Sequence, residues 1–184
     1  MYPFVRLIKE MIAHRADAPL SLGAVHVSHH ICWPWDLDPW MELNNGRTLT
    51  LFDLGRIPFA RRMGLIAVLR DRGWGMAVAG ASVRYRRRVT AFQRLEMRSR
   101  ALGWDDRFLY MEQAMFSHGE ATSHVLLRTA ITRRGKGGIV PPADLDRALG
   151  GDGQSPALPD WVRAWATADA ARPWPPVMDT IPPC

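Results

Sequence analysis

Apolar residues at Phe4, Leu7, Ile8, Met11 and Ile12 recur three and four apart, the period of a helix with one oily side. The spacing predicts a short amphipathic helix packed on its own protein, weighed against a helix lying on a membrane surface. Ala18 to Gly23 reads as a connector, and Ala24 to Trp33, free of Gly and Pro, as a first strand. Pro34 and Pro39 bracket a loop that leads to Asn44-Asn45-Gly46, where an asparagine side chain can cap a helix. The helix that follows carries Leu49, Leu51, Phe52, Leu54 and Ile57, apolar on more than one side and therefore buried, with Pro58 limiting or kinking its end.

From Gly75 to about Arg133 the period changes to two. Ala77, Ala79, Ala81, Val83 and Tyr85 mark one face of a strand, with Ser82, Arg84, Arg86 and Arg88 on the other. Leu95, Met97 and Ser99 alternate with Glu96, Arg98 and Arg100, and strands over 108–116 and 121–133 follow after short turns at 103–106 and 117–120. Turns this short imply antiparallel neighbours. A helix over 141–149, a linker over 150–159 and a helix over 160–171 with Trp161 and Trp165 precede a proline-rich tail. The order of one strand, one buried helix and four antiparallel strands predicts an α+β fold, a five-stranded sheet wrapped on a central helix with extra terminal helices. The expected division is an N-terminal helix at 1–20, a core domain at 24–133 and a helical, proline-rich extension at 134–184.

Composition narrows this picture little. With 184 residues, 47% apolar and 23% charged, the chain excludes disorder and fibrous repeats and suits one folded core. Two cysteines, Cys32 and Cys184, exclude a disulfide framework and suit a reducing compartment. Charge is more informative. Lys and Arg exceed Asp and Glu by 24 to 18, a net +6, and only Lys9 and Lys136 are lysines. Arginine's planar fork suits phosphates and carboxylates, so a polyanionic partner stands beside the reading of a merely basic surface. No segment reaches the length of a membrane span and no secretory leader is evident, so a cytoplasmic protein is expected.

The loop and the helix start carry the chemistry. Asp36-Leu-Asp-Pro-Trp-Met-Glu-Leu-Asn-Asn45 and Thr48-Leu-Thr-Leu-Phe-Asp-Leu-Gly-Arg56 resemble the hotdog-fold acyl-CoA thioesterases, in the branch that includes 4-hydroxybenzoyl-CoA thioesterase. The resemblance spans about 25–133, with Val83-Arg-Tyr-Arg-Arg-Arg-Val89 matching the family's second strand. Met41 stands where the family has glycine, Glu42 where it has histidine, Thr48 where it has tyrosine, and Phe92-Gln93 where it has Gly-Asp. These departures bear on substrate, and they keep open a module that binds thioesters without cleaving them.

Thioester hydrolysis needs a carboxylate to attack the carbonyl or activate water, and donors for the developing oxyanion. The resemblance implies that Asp38 is the nucleophile or general base and that the backbone N–H of Asn45 is the main oxyanion donor. Read on its own, Asp38 is equally a loop acid and Asn45 a cap residue. Glu42, four residues on, is the rival carboxylate, and Asp36 is expected to be structural. Trp40, with its neighbours Trp33 and Trp35, could line an acyl pocket, and Arg84, Arg86 and Arg88 could hold the phosphates of coenzyme A. His26, His30 and Cys32 share a strand face without a fourth ligand at useful spacing, so no metal and no cofactor is implied. The partners expected are an acyl-CoA substrate and a second copy of the chain, as a homodimer or tetramer with the site at the subunit boundary, and no nucleic acid.

Overall fold

The computed structural model describes residues 2–135 and 137–176, so Cys184 and the end of the tail lie outside the described residues. The elements run α1 (Phe4–Ala13), β1 (His26–Ile31), α2 (Asn45–Arg62), α3 (Leu65–Asp71), β2 (Trp74–Tyr85), β3 (Arg94–Trp104), β4 (Leu109–Ser117), β5 (Glu120–Arg133), β6 (Ile139–Val140), α4 (Pro142–Ala148) and α5 (Asp160–Ala170). The sheet is antiparallel in the order β1-β3-β4-β5-β2. A short sixth strand, β6, joins β5 at Ile131 and Thr132, beyond the point where β4 stops at Thr129. This sheet curled on one long helix is the hotdog fold.

The core forms where α2 meets the inner sheet face. Leu51, Phe52, Leu54 and Phe59 pack with Leu95, Met97, Met111, Met115, Val125, Leu127 and Ile131. Gly55 allows the close approach, since a Cβ there would lie 2.7 Å from the Met97 sulfur and 3.1 Å from the Ser28 and Ser99 hydroxyls. The buried Gln113 amide reinforces it, donating at 2.8 Å to the Phe52 carbonyl and at 2.8 Å to Ser99 Oγ. Pro58 removes one backbone donor, yet α2 continues to Arg62 because Pro58 itself is packed into this core. On the outer sheet face α5 sets Val162 and Trp165 against Tyr110 and Leu126.

Three local features depart from the sequence pattern. The alternation along β2 is interrupted by a bulge between Val78 and Gly80. Met76 therefore shares the inner face with Val83, and the single face expected for Ala77 through Tyr85 is split. Helix α3, set between Gly64 and Gly73, was not evident in the apolar spacing. The third is α1, which packs on its own chain but through a largely polar side. Arg6 donates to the Asp36 carboxylate at 2.7 Å and to the Ile31 carbonyl at 2.8 Å, and Glu10 is buried beside His30 and His14. Leu7 packs on the core, while Phe4, Ile8 and Ile12 face out.

This polar seam makes stability depend on pH. Burial, helped by the nearby His14 and Arg62 charges, lowers the His26 pKa from 6.5 to about 4. Burial, with Arg6 and Lys9 adding, lowers that of His30 to about 3. Both rings stay neutral in the folded chain where the unfolded chain takes up protons, so stability is complete above pH 6.5 and falls as pH drops below it. The melting temperature is expected to decline between pH 6.5 and 4, and the His26→Asn, His30→Asn double variant to decline less steeply, whatever its absolute stability. Differential scanning fluorimetry across that range reads the two slopes.

Candidate active site at the mouth of the central helix

The loop from Trp33 to Asn45 is built on Asp36. A short 3-10 turn over Pro34–Asp36 sends this side chain inward, where it is completely buried. It accepts from the Trp33 N–H at 3.1 Å, from Arg6 at 2.7 Å and from Arg47 Nη2 at 2.7 Å. Burial by itself would raise its pKa, but the bonds from Arg47, Trp33 and Arg6 outweigh it and hold the carboxyl below the usual aspartate range. The Asp36 carbonyl also accepts from the Asn44 N–H at 2.9 Å, which fixes the start of α2.

Between Asp36 and Asn44 the chain doubles back. Leu37 bridges to Leu43, and Asp38 N–H donates to the Glu42 carbonyl at 2.8 Å. Asp38 Oδ1 accepts from the N–H groups of Trp40 at 2.9 Å and Glu42 at 3.3 Å, while Oδ2 has no partner among the described residues. Met41 takes a left-handed φ of 61°, the conformation for which glycine is the easy residue. Trp40, at this tip, is 78% exposed.

Asn44 caps α2, its Oδ1 accepting from Gly46 N–H at 2.9 Å and Arg47 N–H at 3.2 Å. Asn45 is the first helical residue, and among the described residues its N–H has no acceptor. It faces a cavity of about 230 Å³ lined by Glu42, Thr48, Tyr85, Arg86, Arg87, Arg88, Thr122 and Ser123 among others. The Tyr85 hydroxyl donates to the Asn45 carbonyl at 3.2 Å, joining the end of β2 to the helix mouth. Glu42 pairs with Arg88 at 3.0 Å, and Arg87 with Glu120 at 3.4 Å. Ser123 Oγ is buried without a hydrogen-bond partner among the described residues.

The structure thus brings together Asn45, Glu42, Arg86 and Arg88 and separates them from Arg84. β2 ends at Tyr85, and the Arg86 and Arg87 N–H groups turn onto the Thr122 carbonyl, so the three arginines do not share one strand face. Arg84 points to the outer side of the sheet, into a separate cavity with Ser82, Glu112, His124, Trp161 and Trp165. Asp38 lies in the same loop as Glu42 but does not line the cavity. Sequence reasoning missed Tyr85 and Ser123 as cavity residues. A signal existed for Ser123, which continues the inward face of Val125 and Leu127 two residues earlier and sits opposite Tyr85. Asp53 and Arg56 do pair along α2, as expected from their spacing.

Among the described residues no group of His, Cys, Asp and Glu could hold a metal ion. His30 bonds Ser28 at 2.9 Å, and burial, with the Asp36 charge adding, pushes the Cys32 thiol up to about 11.

A helix mouth with a free N–H, an acidic loop and a cluster of arginines thus meet on a hotdog sheet. The model of the thioesterase-like superfamily matches residues 32–166, and the chain belongs to that superfamily. Protein THEM6 of Xenopus laevis is 38% identical over 88 residues, which are 48% of this chain and 42% of that protein, so the matched stretch spans less than half of this relative's length. The fold is shared with a DHNA-CoA thioesterase of Staphylococcus aureus at a TM-score of 0.59 and 15% identity, over 79% of this chain and 91% of that one. It is likewise shared with a 1,4-dihydroxy-2-naphthoyl-CoA thioesterase of Synechocystis, at a TM-score of 0.60 and 7% identity, over 68% of this chain and 95% of that one.

Asp36 is buried and accepts from two arginines on different elements, so Asp36→Ala removes the carboxylate that ties them to the loop. It is expected to lower stability by about 3–5 kcal/mol, read by urea denaturation, with Asn44→Ala costing about 1 kcal/mol through loss of the cap.

Proposed function

We propose that the chain hydrolyses an acyl-CoA thioester to a free acid and coenzyme A, with Asp38 as nucleophile or general base. The observation that carries this reading is the acceptor-free Asn45 N–H at the start of an 18-residue helix, opening on a cavity beside three consecutive arginines. A carbonyl oxygen seated on that N–H gains from the helix dipole as negative charge develops on it. Asp38 spends one oxygen on its own turn and keeps the other available. Attack of that oxygen on the carbonyl carbon expels the CoA thiolate and leaves a mixed anhydride for water to open. As general base, the same oxygen instead takes the proton of the attacking water. Arg86 and Arg88 suit the phosphates of coenzyme A, and Arg84 suits them only where another subunit brings its outer face within reach.

The second copy is part of the proposal. Among the described residues β2 pairs with β5 alone and leaves its other edge open along Ala77, Val78 and Ala79, which are exposed. Such an edge favours pairing with another strand, so we read a homodimer or tetramer that completes the site at the subunit boundary. A substrate wall made there would give Trp40 a role in acyl binding. No helix among the described residues is long and apolar enough to cross a membrane.

One observation favours a second reading, a module that binds acyl-CoA or acyl-carrier protein without cleaving it: the acid that lines the cavity is Glu42, and it is paired with Arg88. Thiol release over short, long and aromatic acyl-CoAs separates the two. Asp38→Asn keeps the turn's acceptor and is expected to lower kcat by at least about 100-fold with an unchanged melting temperature, while Glu42→Gln has the smaller effect. The reverse order would move the reaction to Glu42. Binding of a non-hydrolysable analogue with no thiol release by the unaltered protein would leave only the binding module.

A further inference from the structure

We infer that α1 and the neighbouring tryptophan loop form a docking surface for an anionic lipid bilayer. α1 is mounted with its oily side outward. Val5 is 82% exposed, Phe4 64%, Ile8 57% and Ile12 55%, whereas Glu10 on the opposite side is 3% exposed. At 3.6 residues per turn these four apolar side chains fall within an arc of about 100°. The helix is held this way up by its inner face, because rolling the stripe inward would pull Arg6 from Asp36 and from the Ile31 carbonyl. A helix that served only to cover β1 would bury that stripe.

The apolar surface continues beyond the helix. Val5 and Lys9 form one wall of an open cavity of about 650 Å³, with Ile31, Trp33, His29 and Arg94 opposite. Trp33 stacks on Trp35 at 5.3 Å and meets Phe92 edge-on at 6.0 Å. Both outer rings are about two-thirds exposed, and Phe92 holds a left-handed φ of 66° that its bulk makes costly. Cations rim this surface: Lys9 is largely exposed, and Arg94 is exposed with no ion-pair partner among the described residues. Of the acids here, Glu10 is buried with the Lys9 ammonium at 3.2 Å, and Glu96, 3.7 Å from the His29 ring, is paired with Arg98.

An apolar ridge flanked by cations is complementary to a bilayer with negative headgroups, where the side chains enter the acyl boundary and Lys9 and Arg94 meet the phosphates. A second copy seated here would meet the same cations and gain nothing from them, so the bilayer is the better match. The inference is independent of the hydrolase reading.

The full chain is mixed with vesicles of phosphatidylcholine alone or with phosphatidylglycerol and sedimented. Binding to the anionic vesicles is expected to exceed binding to neutral ones and to weaken with salt. The Ile8→Glu, Ile12→Glu variant is expected to bind at least about tenfold more weakly with an unchanged melting temperature, and Val5→Ser, the milder change, should lower binding in the same direction. Absence of binding to either vesicle overturns the proposal, as does equal binding by both variants. A change of mass in light scattering for the glutamate variant, with vesicle binding retained, assigns the face to contacts between copies and overturns it as well.

Discussion

The buried carboxylate of Asp36 is the constraint on which the site depends. It has no access to solvent, so its charge must be met within the protein, and it is met from three directions: the N-terminal helix through Arg6, the central helix through Arg47, and its own loop through the Trp33 N–H. Each bond fixes one element relative to the others. With the loop anchored at Asp36 and the helix start anchored through Asn44, the intervening residues have little choice but to fold back as a tight turn, and that turn carries Asp38 and Glu42. The same ion pairs settle which side of α1 faces the protein. A single acid therefore sets both the geometry of the helix mouth and the outward presentation of an apolar stripe on the other side of the loop.

The helix mouth in turn gains its chemistry from where β2 stops. Had the strand run on past Tyr85, Arg86 and Arg88 would have lain beside Arg84 on the outer sheet face, far from α2. Instead the Tyr85 hydroxyl reaches the Asn45 carbonyl, and the backbone of Arg86 and Arg87 folds onto Thr122. Positive charge is thereby gathered around the positive end of a helix, an arrangement that costs repulsion unless an anion is present or an acid neutralises it. Glu42 on Arg88 and Glu120 on Arg87 supply part of that neutralisation. Arg86 has no ion pair among the described residues.

The fold was legible because its signals are local and repeated. The Asn cap, the all-round apolar helix and the period-two segments from Gly75 onward each follow from short-range physics, and together they admit few arrangements. Asp36 was readable as structural from its place in the loop. What stayed hidden depends on contacts between distant residues. The bulge at Ala79 shifts the phase of β2, and no spacing within the strand announces it. The outward set of α1 could not be read from its apolar periodicity, because the competitor for its inner face was an ion pair with a residue 30 positions away. The separation of Arg84 from Arg86 and Arg88 depended on one strand end, and boundaries are the weakest part of any sequence pattern. Ser123 and Tyr85 were within reach, since both continue inward faces already marked by Val125 and Val83.

Two exposed residues with positive φ bear on how far this chain has moved from its relatives. Met41 and Phe92 hold left-handed backbone at positions where the resembling family has glycine, and neither side chain is buried. Both turns thus hold left-handed geometry without the residue that adopts it most easily. Such a conformation is costly for a bulky residue; Phe92 recovers part of that cost on the Trp33 ring, which it meets edge-on at 6.0 Å, whereas Met41 is 65% exposed. Met41 and Phe92 thus lie on exposed turns of a thioesterase-like chain, while the core beneath them rests on ordinary close packing.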